Sequence, residues 1–460
     1  MELHLYAAGS NARGQLGSGD CEDQHTFKPV IFAREVDGKE QASPKFPPNA
    51  SNILNIACGS NHTLVLFDSN ELWVSGDSSR GQLASVPSTT FFRKLSIDRA
   101  RCNIDESLLP LNVAATWETS YVVFSEKEDT NKLSDAVISF GADDFGDRGV
   151  GSSPPAEPSV VDFRQALSGN PWRIKVRELV AGQHHVLASL EVWEAEEAKS
   201  YMVVVGWGAS RHGQLGALPA GTKKTNKKSA RVMSQVGTKF DKPVIIATYL
   251  EEERPIQLAA GAQHSLILHS THRVTALGSS REGQLNFPES LLKPNTNPYA
   301  LRTIGCTWST SFFVTYRKPR KPDESHHGLA SLWRMDSCGR SNHGQLGRPL
   351  SEDTPFGIIL DALDRVNFWT LACGSEHVLV VTNRGVCGWG WNEHGNLGLG
   401  HTKDVAKPKM IYSTNDVQIM SPDPREQLNI SIGAWAGCGT SWVLVQETPG
   451  SSSHRCEGSP

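Results

Sequence analysis

The stretch Gly388-Trp389-Gly390-Trp391-Asn392-Glu393-His394-Gly395 has the composition of a loop that could lay backbone N–H groups along a phosphate. A dinucleotide fingerprint must lie between a strand and a helix, and here the same glycine spacing recurs in register at six other places, so the stretch reads as a turn. A second candidate is the set His62, His185, His264 and His377, which could be imagined as metal ligands. Ligands must converge to within about 2 Å of one ion, whereas one histidine per repeat separates the four, so they read as hydrogen-bonded structural residues. Three further copies carry Thr119, Thr310 and Thr440 in the same place, which keeps a hydrogen-bonding side chain and discards the imidazole. For covalent or hydrolytic chemistry there is no Gly-x-Ser-x-Gly elbow, no His-Glu-x-x-His pair and no Cys/His pairing at a recognisable spacing. The acidic pair Asp143 and Asp144 falls inside a turn motif. No catalytic residue, metal or cofactor is expected, and the chain reads as a non-enzymatic scaffold whose loops bind something.

The elements that position these residues are copies of one unit. Gly-x-Asn-Ala-Arg-Gly-Gln-Leu-Gly at residues 9–17 returns with starts at Gly76, Gly141, Gly208, Gly278, Gly339 and Gly390. A spacing of 51 to 70 residues suits a propeller blade with variable loops and exceeds an ankyrin, tetratricopeptide or leucine-rich repeat. The third position is Asn11, Ser78, Asp143, Ser210, Ser280, Ser341 or Asn392, short polar side chains that bond their own backbone in turns. The sixth is always glycine, which points to a positive φ or a backbone approach that a Cβ would block. Gln or Asn follows in six copies, then Leu16, Leu83, Leu215, Leu285, Leu346 or Leu397 as an apolar plug between blades. Asp147 and Arg148 break both rules, so the third copy is the most eroded.

A second motif, Ala-Cys-Gly-Ser-Asn-His-Thr-Leu-Val-Leu at residues 57–66, precedes each of the last six turn motifs and opens an apolar run that reads as a buried inner strand. The chain opens on a turn motif without its strand motif and closes on residues 432–445, a strand motif without its turn. The two orphans complete each other. A ring that pairs the first strand with the last hides the free edges a linear stack would expose. The expected fold is therefore all-β, a closed seven-bladed β-propeller with its seam between residues 3–9 and 442–445.

Although 460 residues would suit two or three domains, the repeat register runs through residues 3–446, so one propeller over residues 1–447 is expected, with a Ser-, Gly- and Pro-rich tail over 448–460 expected to be disordered. A net charge of −4 with both signs mixed gives no general case for nucleic-acid binding. The nine cysteines contain no Cys-x-x-Cys pair, and Cys58, Cys306, Cys373 and Cys438 sit in the strand motif as core cysteines of a reducing compartment. No segment reaches the length of a membrane span and the start lacks a signal region, so a soluble intracellular protein is expected. Basic insertions at 223–231 and 317–321 are expected to be surface loops.

The fifth turn position carries Arg13, Arg80, Phe145, His212, Glu282, His343 and His394, so one rim is expected to present a mostly cationic, imidazole-rich ring suited to an acidic partner. Trp389, Trp391, Trp435 and Trp442 add aromatic groups of the kind enriched at hot spots, although such residues also pack between blades. The expected partner contacts are Trp391, Asn392, Glu393, His394, His343, His212 and Arg13.

Gly-x-Asn/Ser-x-x-Gly-Gln-Leu-Gly coupled to Ala-x-Gly-x-x-His-x-Leu resembles the regulator of chromosome condensation repeat over nearly the whole chain. Residues 372–377, Ala-Cys-Gly-Ser-Glu-His, followed by residues 390–396, Gly-Trp-Asn-Glu-His-Gly-Asn, are similar to the branch of fungal alpha-tubulin suppressors, also called killer-toxin-insensitivity proteins. That resemblance implies a cytoplasmic and nuclear protein that forms a heterodimer with the small CSL-type zinc-binding, electron-carrying protein of diphthamide synthesis. The pair would support diphthamide formation and, with the Elongator complex, wobble-uridine modification of transfer RNA. The zinc or iron would belong to the partner, and no direct DNA binding is expected. The family also implies an alternative, guanine-nucleotide exchange on a Ran-type GTPase. Residues 1–9 supply no basic arm for that role, and residues 317–327 are the nearest candidate for a wedge at the nucleotide site. A third reading is an unspecialised interaction scaffold.

Overall fold

The computed structural model describes residues 2–36, 38–127, 133–151, 157–167, 170–196, 198–216, 238–249, 251–287, 299–317, 333–348, 357–358, 368–382, 384–413 and 433–447. The basic insertion at 223–231, nearly all of 317–321 and the tail at 448–460 lie outside them. Seven antiparallel sheets form the blades of a propeller, as the repeats predict. The first blade has strands Ile53–Cys58, His62–Phe67, Leu72–Gly76 and Thr89–Leu95, and the others repeat this plan. Among the described residues the fourth blade shows three strands, ending at Val274–Gly278.

The seam is where the orphan motifs meet. Glu2–Gly9 pairs with Thr440–Glu447 in unbroken antiparallel register, Leu5 opposite Leu444 and Gly9 opposite Thr440. The seventh blade is thus built from both ends of the described chain, with Gly433–Ala436 innermost and Gln24–Pro29 outermost. One addition was not legible in the repeats. A hairpin of Phe32–Val36 and Lys39–Ser43 joins the outer edge of the first blade through a parallel step at Phe32 and Phe92. Phe32 is buried there against Phe46, Phe67, Trp73 and Phe92.

The apolar run that follows each strand motif is fully buried, as in His62–Phe67, His264–His269 and His377–Thr382. It is the second strand of its blade and not the innermost. The innermost strand is the preceding one, whose last residues line an axial cavity of about 260 Å³ with Ala57, Ala114, Ala181, Ala260 and Ala436. Small side chains are required there because seven strands converge on one axis. Cys58, Cys306, Cys373 and Cys438 line the same cavity, and all the described cysteines are free. Burial pushes the Cys58 thiol up to about 11 and Cys438 to about 12, so they are protonated at neutral pH.

Each turn motif binds its own blade to the next. The seven sixth-position glycines have φ between 70 and 80°, so the expected positive φ is present in every copy. Asn11 Oδ1 accepts the Leu16 N–H at 3.0 Å, Asn392 Oδ1 accepts that of Leu397 at 2.8 Å, and both leucines are fully buried. The Gln side chain accepts the fifth-position N–H, as Gln15 does from Arg13 at 2.9 Å. Its carbonyl then takes a bond from the following blade: Thr63 Oγ1 donates to Gln15 O at 2.8 Å, and Ser265 Oγ to Gln214 O at 2.8 Å. In the eroded copy Arg148 replaces the plug. It is fully buried, with its guanidinium on Glu157 O and Ser159 Oγ.

Candidate partner-binding face

The turn motifs and the loops between the first and second strands lie on one end of the propeller. Their backbones are joined there: Asp77 N donates to Asn61 O at 2.8 Å, and Ala209 N to His184 O at 2.7 Å. The histidines behind these loops are structural. His185 Nε2 lies 2.9 Å from Ser265 Oγ, His264 Nε2 3.1 Å from Ser311 Oγ, and His377 Nε2 3.0 Å from Ser441 Oγ. Because Ser265 and Ser311 give their protons to Gln214 O and Gln284 O, the imidazoles must be the donors, which fixes the neutral Nε2–H tautomer. Burial agrees with that assignment, lowering His62, His264 and His377 to about 4 and His185 to about 3. No group of three or more potential ligands converges on a metal position among the described residues.

The expected cationic ring is largely neutralised, which corrects the reading from the fifth positions alone. Arg80 pairs with Asp144 at 2.8 Å and lies 3.7 Å from Glu118. His343 pairs with Asp404 at 2.8 Å, and His394 with Asp23 at 2.6 Å across the seam side of the ring. Partial burial would raise the Asp77 carboxyl pKa, but hydrogen bonds from Ser79 and Ser88, and then the charge of Arg13, hold it below the usual value. These carboxylates come from neighbouring loops, which a list of fifth positions does not contain. The exception is the sector of the third and fourth blades, where Arg211 and His212 stand beside Arg281.

The predicted partner contacts divide accordingly. Trp391 is half-buried, edge-on to His394 at 5.2 Å, with its indole N–H on Glu393 Oε2 at 3.2 Å. Glu393 and Arg13 are exposed; His212, His343 and His394 are half-buried. Asn392 leaves the set: it is fully buried, and its carboxamide donates to His401 O and Lys403 O while accepting from Leu397 N. Trp389 and Trp442 are also fully buried; the Trp389 indole donates to Gln345 O at 2.9 Å.

The centre of the face carries residues the sequence reading passed over. Trp117 and Trp308 come from loops of the second and fifth blades and meet at the axis, ring centroids 5.4 Å apart, at one end of the axial cavity. His184 continues the line at 6.2 Å from Trp117, and Phe145, 45% exposed, lies 4.1 Å from His184. Four rings thus run from rim to axis. Neither Trp117 nor Trp308 has a hydrogen-bond partner for its indole N–H among the described residues. The signal was available: two copies place Trp where the others have Ser60, Gln183, Ala262, Ser375 or Cys438, and those same two copies read Thr-Trp-x-Thr in place of Gly-x-x-His. Glu376, beside this centre, is held by Ser309 Oγ and by Gln345 Nε2 at 3.0 Å, although burial raises its pKa overall.

The pattern of the Regulator of chromosome condensation (RCC1) repeat matches residues 4–66 and 385–423, and a second form of it matches residues 53–82. The chain carries RCC1 repeats. A mouse secretion-regulating guanine nucleotide exchange factor is 26% identical over 451 residues, covering 94% of this chain and 82% of its own length. An RCC1 repeat-containing protein of Schizosaccharomyces pombe is 24% identical, covering 96% of this chain and 99% of its own length. Among solved structures, Prp20p of Saccharomyces cerevisiae superposes with a TM-score of 0.64 at 19% identity, covering 98% of this chain and 93% of that one. Human WBSCR16 gives 0.62 at 16% identity, covering 97% and 99%. These two share the propeller fold of this chain.

Proposed function

We propose that this RCC1-repeat propeller is a non-enzymatic regulator that captures a protein partner on its turn face, and that the partner is a small GTPase whose guanine nucleotide it releases. The observation that carries the binding face is the line Phe145, His184, Trp117 and Trp308. Aromatic side chains held by their backbones, half-exposed and with unused indole donors, are the composition of an interface anchor. The nucleotide-exchange part is supported by the mouse relative, which matches nearly the whole of this chain and is described as an exchange factor. The wedge candidate at 317–327 lies, apart from Arg317, outside the described residues.

A second reading keeps the same architecture with a different partner, the small zinc protein of diphthamide synthesis in the cytoplasm and nucleus, with Elongator as a further associate. It is favoured by the loop at 390–396, where Trp391, Glu393 and His394 share the surface with His343. Nucleotide-release kinetics on a Ran-type GTPase, run beside a pull-down with the purified zinc protein, separates the two. Faster release that is lost on joint Trp117→Ala and Trp308→Ala replacement supports exchange. Capture of the zinc protein with no effect on release transfers the function to the second reading.

A further inference from the structure

On most of the turn face each basic rim residue has a carboxylate beside it: Arg80 with Asp144, His343 with Asp404, His394 with Asp23. The third and fourth blades break this rule. Arg211 and Arg281 are exposed, and neither guanidinium makes an ion pair or hydrogen bond among the described residues. His212 stands with them; burial and then the charges of Arg281 and Arg211 hold its imidazole below the usual range, with no opposing carboxylate among the described residues. Glu282 is the one exposed acid of these two turns, and it pairs with neither arginine.

The sector is fixed in place and joined to the aromatic centre. Ala209 N donates to His184 O and Ser279 N to Gln263 O, so both arginine turns are pinned to the central loops. Ala262 N donates to Trp308 O at 3.0 Å, which sets Trp308 against the fourth blade. What the sector offers is a run of donors: two guanidiniums, an imidazole and the indole N–H groups of Trp117 and Trp308. A ligand that matches them must bring acceptors.

We propose that the third and fourth blades of this face dock an acidic segment of a protein partner, with its carboxylates on Arg211 and Arg281 and an apolar side chain against Trp308. This rests on the reading of the turn face as the binding face, and it names the chemistry of what binds there. A polypeptide fits better than a nucleic acid. Asp144, Glu118, Glu376, Glu393 and Asp404 share the face, and a strand of phosphates would run over them, whereas a short segment with two or three carboxylates meets only the arginine sector. Guanidiniums also suit carboxylates geometrically, because their forked donors match two oxygens at once.

The test uses the full chain and a fluorescein-labelled peptide of about 12 residues, Asp and Glu around a central Leu-Phe pair, read by anisotropy at low and physiological salt. A lysine-substituted peptide and a single-stranded oligonucleotide of similar length serve as the other arms. The expected result is binding of the acidic peptide alone, weakened about tenfold or more by joint Arg211→Glu and Arg281→Glu replacement. Arg211→Lys with Arg281→Lys should retain most of it, and Arg101→Glu, at an exposed arginine outside the turn motifs, should change it less than about twofold. Absence of acidic-peptide binding, equal loss with Arg101→Glu, or tighter binding of the oligonucleotide overturns the proposal. Matching thermal unfolding of the variants excludes a folding defect as the cause of loss. If the peptide behaves as expected while no GTPase releases nucleotide, the sector stands and the GTPase assignment falls. Exchange that survives both charge reversals, with no peptide bound, removes the sector alone.

Discussion

Gly59 and His62 exclude one another's alternatives: a Cβ on Gly59 would fall on the His62 imidazole, and it would also lie 2.8 Å from the Thr116 carbonyl of the next blade. Gly182 and His185 repeat the relationship, with that Cβ 2.6 Å from Cε1. Neither glycine has a positive φ, so the requirement is space and not backbone conformation. This accounts for the paired change to Thr116 with Thr119 and Thr307 with Thr310, because a smaller side chain in the histidine's place admits a larger one in the glycine's. The prediction is a coupled pair. Gly59→Thr alone should destabilise by about 1–3 kcal/mol through overpacking, and His62→Thr in the same chain should recover part of it. Denaturant midpoints of the two single variants and the double variant measure the coupling; additive losses would refute it.

The turn chemistry and the seam were legible because each copy tests the others: Asn11, Gly14, Gln15 and Leu16 keep the same tasks in blade after blade. The binding face was less legible because it depends on partners that are distant in sequence. Asp23 bonds to His394 from 371 residues away, and Trp117 meets Trp308 across the axis. Asn392 was misplaced on the surface for a local reason. The carboxamide that makes a good contact group is the same group that closes the turn.

Acid should unfold the propeller before its surface carboxylates alone would. The buried imidazoles of His62, His264 and His377 have folded-state values near 4, against 6.5 for the free group, and His185 lies near 3. A depressed histidine value means that the unfolded chain binds the proton first. Stability is therefore full above about pH 6.5 and falls as pH drops toward 4, by about 2 kcal/mol per histidine at pH 5. His377→Thr, the change found naturally at Thr440, should make urea midpoints less steep in pH over this window. An unchanged slope would show that the imidazoles are not the acid-sensitive groups.

The opposite window belongs to Glu178. At the equivalent place in the fourth blade Gln257 clasps the next innermost strand both ways, accepting from Ile304 N at 2.9 Å and donating to Ile304 O at 3.1 Å. Glu178 accepts from Leu258 N at 2.7 Å, and burial raises its carboxyl to about 8 despite that bond. Above the unfolded value near 4.5 the unfolded chain loses a proton that the folded chain keeps. Stability thus falls as pH rises toward 8 and is constant beyond it, a penalty on the order of 3 kcal/mol at pH 7. Glu178→Gln should raise the unfolding midpoint at pH 7 to 8 and leave it nearly unchanged at pH 4.5. Equal shifts at both values would assign the gain to packing and not to the charge.

Two surfaces compete as the centre of the interface, and substitution can rank them. Trp117 and Trp308 lie at the axis with unused indole donors, whereas Trp391, Glu393 and His394 already bond to one another or to Asp23. Groups whose hydrogen bonds are satisfied within the chain have less to gain from a partner than groups whose bonds are open. Joint Trp117→Ala and Trp308→Ala replacement should cost a captured partner about 2 kcal/mol or more of binding, while joint replacement of Trp391, Glu393 and His394 by Ala should weaken it less. Both variants should keep the wild-type circular dichroism, because none of these side chains is in the fully buried core. Titration calorimetry of the captured partner against both variants gives the order, and a larger loss from the rim variant would move the centre of the interface to the sixth blade.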